Sequence, residues 1–387
     1  MGRERSNAVE TSFFGRGSIA LLPAELKKRG VKRGLIVTDR FLYESKIAEK
    51  VGDTLLEAGA EYAIYYLVEP NPTVQIVNEC LEAARVLQVD FLVAVGGGSA
   101  IDTAKAVSIV MANGGSVEDY EGVNKSSQKG LPIVAVNTTA GTGSEVTAFY
   151  IVTNPKKHVK MCMVDPNCMV SIAINDVDFM MSMPGSLTAS TGMDAMTHAI
   201  EAAVAKRATP FTDKDALWAI TVIKDYLPFA AKDGNHVQAR EMMAYAEYAA
   251  GMAFSNAGLG MVHAMAHALG GLVNLPHGVC NAVLLPYVME FNGSNPEVAK
   301  NYRKVAKALE LAGAESMTGR QAVDACTAYI RKMSESLSLP ANLKELKVDP
   351  KDFGPLAQSA MNDSCMKDNP FLPSLKQVAE VYRRAYQ

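Results

Sequence analysis

The feature that most constrains the fold is a change of texture near Pro184. From Gly34 to about Ile174, runs rich in Val, Ile, Leu and Ala alternate with helical stretches. GLIVTD (34–39), EYAIYYLV, DFLVAV (90–95) and LPIVAV read as strands, and MCMVDPNCMVSIAIND as a further pair. FLYESKIAEKVGDTLLEAG, VQIVNECLEAARVLQ and the segment after Gly98 read as helices. Near-continuous apolar strands separated by helices are buried on both faces, the pattern of a mostly parallel sheet with a helical cover. After Pro184 strand-like runs become scarce, and Ala/Met/Leu-rich segments such as SLTASTGMDAMTHAIEAAVA and AREMMAYAEYAAGMAF dominate. The expected organisation is an α/β domain over 1–184 and an all-α domain over 185–387, in a chain longer than one core usually supports. Trp218 and the many Met residues at helical spacing read as core packing.

A net charge of −3 with no Lys/Arg-rich run excludes the footprint of a nucleic-acid binder. No apolar run approaches the roughly 20 residues of a membrane helix, and MGRERSNAVETSFFG has no hydrophobic signal core. Gly2 and Ser6 satisfy the permissive myristoylation pattern, but a charged, frayed start explains them as well. The six cysteines form no CxxC or finger-like spacing and read as reduced, mostly buried thiols of a cytoplasmic protein.

Gly96-Gly97-Gly98-Ser99 lies between a buried strand and an apolar-periodic helix. Glycines admit a ligand close to the backbone, and the following helix N-terminus offers free N–H groups and a favourable dipole to an anion such as a pyrophosphate. The alternative is a tight turn with Ser99 as N-cap. Gly15, Gly17 and Ala20 match a GxGxxA dinucleotide fingerprint but follow too short a strand, so they read as a turn. Asp39 ends the strand GLIVTD, where a carboxylate can accept from an adenosine ribose and repel a 2′-phosphate, or can cap a helix. The loop Asn137–Glu145 carries hydroxyl, amide and glycine residues directly after LPIVAV and reads as a second polar cradle.

Five of the six histidines fall in the helical half, and four of them, His198, His263, His267 and His277, stand in patterned positions. Asp194 and His198 are four residues apart and share a helix face, as do His263 and His267. His277 follows in LPHGVCN, expected as a loop beyond glycines that end the previous helix. Thr191 with Asp194 also fits a capping box, and a single His on such a helix is more often a core residue. Two i, i+4 pairs and a Pro-His-Gly segment in one domain favour a metal over coincidence. Imidazoles with one carboxylate suit Fe(II) or Zn, and a histidine outside the ligand set can relay a proton.

GGGSAIDTAK, NTTAGTGSEVT, TGMDAMTHAIEA, GMAFSNAGLGMVHAMAHALGG and LPHGVCNAVLLP together resemble the iron-dependent (group III) alcohol dehydrogenases, close in pattern to 1,3-propanediol and NAD-dependent methanol dehydrogenases. The resemblance runs from about Phe13 to the C-terminus. It implies a dehydroquinate synthase-like architecture, an α/β NAD-binding domain followed by a helical metal domain, with the active site in the cleft between them. It implies Asp194, His198, His263 and His277 as ligands of iron, with zinc possible on the same set, and His267 as a proton relay or nicotinamide contact. Asp39, Asn71, Gly97, Gly98, Ser99 and Asp102 would hold the adenosine and pyrophosphate of NAD. Thr138, Thr139, Thr142, Thr147 and Lys160 would line the nicotinamide side, and Ile151, Phe254 and Cys365 the substrate channel. Ala268 and Phe179 depart from the common family residues without removing a ligand. The implied reaction is reversible oxidation of a small primary alcohol or diol to its aldehyde, by a homo-oligomer. A dehydroquinate synthase-like lyase would need basic residues around the histidines, which the helical half lacks. A zinc glycerol dehydrogenase and a catalytically silent metal- or nucleotide-binding protein are the other readings.

Overall fold

The structure, a computed structural model, describes residues 6–157 and 159–387; Gly2, and with it the acylation pattern, lies outside them. The chain divides between Met183 and Pro184 into two compact units.

The first unit holds all nine strands of the described residues: β1 (Thr11–Phe14), β2 (Arg33–Asp39), β3 (Glu61–Val68), β4 (Phe91–Gly96), β5 (Gly122–Val123), β6 (Ile133–Asn137), β7 (Phe149–Asn154), β8 (Val159–Val164) and β9 (Ile172–Asn175). Six form one parallel sheet in the order β1-β9-β6-β4-β2-β3. Its central strands are apolar because both faces are covered; Ile36, Phe91, Val93, Val134 and Ile172 belong to one buried cluster with Leu22 and Val51 from flanking helices. From β2 the chain moves outward to β3, then returns across β2 to form β4 and continues outward through β6 and β9. The direction of winding therefore reverses between β2 and β4. In open α/β sheets, ligands bind outside the carboxyl ends of the strands at such a reversal. Asp39 ends β2 and Gly96 ends β4, one on each side of it.

Three local differences from the sequence reading have simple causes. Segment 41–59 is not one helix: Lys46, at φ 63°, separates Arg40–Glu44 from Ile47–Glu57. The two strands of segment 161–176 belong to different sheets, because β8 pairs antiparallel with β7, a strand concealed behind the polar loop. Gly15 and Gly17 do form a turn: the Gly17 and Ile19 amides donate to the Asp176 carboxylate at 3.0 and 3.1 Å, so an internal acid already takes the N–H groups an anion would use.

In the second unit every regular element of the described residues is helical. Helix Gly185–Val204 is buried along most of its length and packs against Pro210–Lys232, Val237–Ala257 and His277–Asn292. Small residues permit this. A Cβ on Gly192 would stand 2.3 Å from Leu227 Cδ1. Met193, Met196, Met243 and Met265 fill the core, whereas Trp218 does not. It is 45% exposed, on one face of its helix with Phe211 and Phe229, seven residues before it and eleven after. No described helix is long and apolar enough to cross a membrane. All six cysteines are buried, and none is in a disulfide among the described residues.

Candidate functional site

The first unit gathers the dinucleotide candidates around the reversal between β2 and β4. Gly97, not Ser99, is the N-cap of helix Gly98–Asn113, and no side chain caps that N-terminus. A Cβ on Gly97 would lie 2.7 Å from Thr139 Cγ2, and one on Gly98 3.0 Å from Thr142 Cγ2. The glycines thus let two loops touch, and the Thr138 amide joins them through the Gly96 carbonyl at 3.1 Å. The Asp39 side chain accepts from the Leu42 amide at 2.9 Å, so it caps a helix while standing at the strand end. Lys160 Nζ donates to Asn71 Oδ1 at 2.7 Å, with Asn71 in the left-handed region.

Two of the implied cofactor contacts serve the loop itself. Asp102 accepts from Ser144 Oγ and, at 3.0 Å, from the amide of Ile151. Thr147 faces the fully buried Lys105, whose Nζ donates to the carbonyls of Thr147 and Phe149 at 2.8 and 2.7 Å. Burial pushes the Lys105 ammonium down and the Asp102 carboxyl up. One turn of helix thereby clamps the loop after β6.

In the second unit the histidines converge. Helix Gly185–Val204 places Asp194 and His198 one turn apart, and Thr191 does not cap it: its hydroxyl donates to the Leu187 carbonyl at 2.8 Å within the helix. Helix Met261–Val273 carries His263 and His267 and runs through Gly270 and Gly271 to Asn274, whose φ of 52° provides the left-handed C-cap. His277 is not in a loop but opens helix His277–Asn292, immediately after Pro276. Gly278 makes that start possible, because a Cβ there would lie 2.3 Å from the Ser190 carbonyl oxygen.

Asp194 Oδ1 is 3.8 Å from His198 Nε2 and 3.6 Å from the Nε2 atoms of His263 and His277. Ligand atoms of Asp194, His263 and His277 all lie within 4.8 Å of one another; His198 joins through the carboxylate and stacks on His263 with ring centroids 4.5 Å apart. For an ion with bonds of about 2.05 Å, tetrahedral neighbours stand about 3.4 Å apart, and the carboxylate-to-imidazole distances lie within a few tenths of an ångström of that value. Asn281 reports the polarity of the space. Its Nδ2 donates to Asp194 Oδ1 at 2.6 Å and faces His263 Nε2 and His277 Nε2 at 3.1 and 3.2 Å. Lone pairs converge where a positive centre belongs, and one carboxylate with three imidazoles fits Fe(II) or Zn.

Burial opposes charge on Asp194, but His198, His277 and His263 around it hold its carboxyl well below the ordinary range. Burial likewise opposes charge on His263, yet hydrogen bonds to Asp194 and Glu201 raise it to about 9. His263 Nδ1 is 2.6 Å from Glu201 Oε2, and His267 Nδ1 is 2.9 Å from Asp363 Oδ2. His267 stacks on His277 with centroids 5.2 Å apart. Phe254 stacks on His198 at 4.3 Å, and the Cys365 amide donates to Asp363 at 2.8 Å. The sequence reading missed Glu201, Asn281 and Asp363. Glu201 lies three residues after His198 and Asn281 four after His277, a helical spacing that pointed to them; nothing local pointed to Asp363.

The model of the Fe-containing alcohol dehydrogenase family, C-terminal, matches residues 188–386, and that of iron-containing alcohol dehydrogenase matches residues 10–177. The chain belongs to the iron-containing alcohol dehydrogenase family. It is 43% identical to alcohol dehydrogenase 4 of Saccharomyces cerevisiae (strain YJM789) and 40% identical to the NAD-dependent methanol dehydrogenase of Bacillus methanolicus, with 97% of each chain covered in both pairs. Its fold is similar to the crystal structure of a 1,3-propanediol oxidoreductase, with a TM-score of 0.94, 40% identity and 100% of both chains covered. The family resemblance and the two-part architecture read from the sequence agree with these matches.

Two outcomes follow for the metal set. Gly278→Ala drives a methyl into the Ser190 carbonyl; relieving it moves the start of the His277 helix, and overpacking of this kind costs about 1–3 kcal/mol. The variant is expected to fold with reduced stability and to bind less metal per chain, as measured by elemental analysis. The second outcome is a pH dependence. The His263 pKa rises from 6.5 to about 9 on folding, so its contribution is complete below pH 6.5 and is lost as pH rises through 9. In metal-free protein Tm should therefore fall across pH 6.5–9, while metal affinity climbs over the same window as the competing proton leaves. Opposite slopes in calorimetry and metal titration check it.

Proposed function

We propose that this protein is an NAD-linked, metal-dependent alcohol dehydrogenase that interconverts a small primary alcohol or diol and its aldehyde. The observation that carries this reading is the buried convergence of Asp194, His198, His263 and His277. The names of the methanol dehydrogenase relative and the propanediol oxidoreductase structure support the substrate class and, for the former, the cofactor. An iron or zinc ion held by these four side chains supplies a Lewis acid that lowers the pKa of an alcohol, and NAD supplies the hydride acceptor. Alcohol and NAD+ give aldehyde, NADH and one proton.

The protein's own groups account for the rest. Gly97, Gly98 and Ser99, at an uncapped helix N-terminus, take the pyrophosphate, and Asp39 at the end of β2 takes the adenosine ribose. Asn71, Asp102, Thr138, Thr139, Thr142, Thr147 and Lys160 build the rest of the dinucleotide site, Asp102 and Thr147 by fixing its loop. His267, held through Nδ1 by Asp363, keeps Nε2 for the proton. Phe254, Ile151 and Cys365 border the substrate and favour a short one. The metal set is better exposed at His277 than at His198 or His263, which suits a centre that must admit substrate. The protein acts in the cytoplasm as a homo-oligomer; the exposed aromatic face of Phe211, Trp218 and Phe229 suits assembly.

Asp194→Ala is the deciding variant. Metal content should vanish and NADH formation from a panel of short alcohols should fall about a thousandfold, roughly 4 kcal/mol of activation free energy, while NAD binding persists. Turnover retained without Asp194 would overturn the reading. Asp39→Gly should relax discrimination against NADP, as the ratio of kcat/KM for the two cofactors; an unchanged ratio assigns Asp39 to helix capping alone.

A further inference from the structure

Glu201 lies on helix Gly185–Val204 beyond the two implied ligands and is buried, 3% exposed. Its two oxygens have separate tasks. Oε1 accepts from the Val262 amide at 2.7 Å, and Oε2 stands 2.6 Å from His263 Nδ1. The approach is built in: a Cβ on Gly260 would lie 2.9 Å from Oε1, so the residue before helix Met261–Val273 has no side chain. The first amide of that helix, Met261 N, is taken by Asn369 Oδ1 at 3.0 Å. Two remote side chains thus cap one helix end, and only one of them also touches an imidazole.

We propose that Glu201 is a positioning residue of the metal centre, fixing the His263 tautomer that turns a lone pair on Nε2 toward Asp194. The proposal rests on the metal-site reading above. Neutral imidazole carries its proton on one nitrogen only, and the partner of that nitrogen decides which. A carboxylate accepts and never donates when ionised, so Nδ1 must be the protonated nitrogen and Nε2, 3.6 Å from Asp194 Oδ1, the ligand. A helix cap alone does not require this residue type, since a neutral Asn already serves the neighbouring amide. Burying a carboxylate is costly, and an interaction with His263 gives a reason to keep it there. Glu201 also brings a second negative charge beside the ion, matching the two positive charges of a divalent metal with Asp194.

Glu201→Gln tests the assignment, because Gln is isosteric but has one acceptor where Glu has two. Its amide N–H must face either the Val262 amide or Nδ1, and against Nδ1 it selects the tautomer with the proton on Nε2. Zinc Kd is measured on full-length, metal-stripped protein by competition with a chromophoric chelator, beside Tm of the metal-free forms. Glu201→Gln should bind zinc 10–100-fold more weakly. Asn369→Ala, which removes the neighbouring cap without touching His263, should lower Tm yet keep zinc affinity within about threefold. Wild-type affinity in Glu201→Gln, or an equal loss in Asn369→Ala, overturns the proposal. Wild-type protein that binds no zinc, iron or cobalt overturns the metal-site reading itself, which is a different result. Should Glu201→Gln fail to fold, 15N-histidine spectra of zinc-loaded wild type decide: His263 must show a proton on Nδ1, and a proton on Nε2 refutes the assignment.

Discussion

The second unit depends on a buried carboxylate that has no business in an apolar bundle by itself. Asp194, His198 and His263 are 2%, 4% and 1% exposed, on helices otherwise rich in Ala and Met. Removing such acceptors from water costs several kcal/mol unless something positive meets them. Two groups of the protein meet part of the demand: His263, whose bonds to Asp194 and Glu201 favour a proton, and the Asn281 amide, which donates to Asp194. Both are replaceable by a cation, which competes for the same lone pairs. The helix packing follows from this requirement. Gly192, Gly260 and Gly278 each stand where a methyl group would collide with a neighbouring helix or with Glu201. Close approach of backbones is what brings four side chains from three helices to one point.

The first unit solves the opposite problem, leaving polar backbone groups open where the sheet ends. At the Gly15–Ile19 turn, Asp176 occupies the amides, and the fingerprint there is spent on the protein's own structure. At Gly97–Ser99 no side chain takes that part. The two glycine motifs look alike as strings and differ in whether an internal acid reaches them. The second also sits where the winding of the sheet reverses, and that depends on strand order, which no local pattern encodes.

That contrast explains how much could be read in advance. Asp194 with His198 and His263 with His267 were legible because helical spacing alone puts them on one face. The parallel sheet was legible from its Val/Ile-rich runs, and the helical half from its lack of them. Trp218 was misplaced because its helix is apolar on most of its surface, so periodicity does not mark the outward face. The start of the His277 helix was hidden because Gly270 and Gly271 look like a terminus, whereas Asn274 provides it. Asp102 and Thr147 read by resemblance as cofactor contacts, and the clamp they form with Lys105 and Ile151 joins residues 42 and 49 positions apart, beyond the reach of a local pattern. Asp363 reaches His267 across 96 residues of chain, a distance over which a sequence pattern carries no signal.

The two histidines of helix Met261–Val273 show why identical spacing does not mean identical duty. Each rests Nδ1 on a buried carboxylate, His263 on Glu201 and His267 on Asp363, so each presents Nε2 outward. The difference is the company of that nitrogen. His263 Nε2 stands 3.6 Å from Asp194 Oδ1, where the proposed ligand set needs it, while His267, one turn on, stacks on His277 instead. An imidazole held by a carboxylate beside a metal, but outside its ligand set, keeps a lone pair that can take a proton without competing with the ion. On the proposed reaction, the helix thus supplies a Lewis-acid ligand and a base from consecutive turns. The acids that distinguish them come from opposite ends of the domain, Glu201 from its first helix and Asp363 from near the C-terminus.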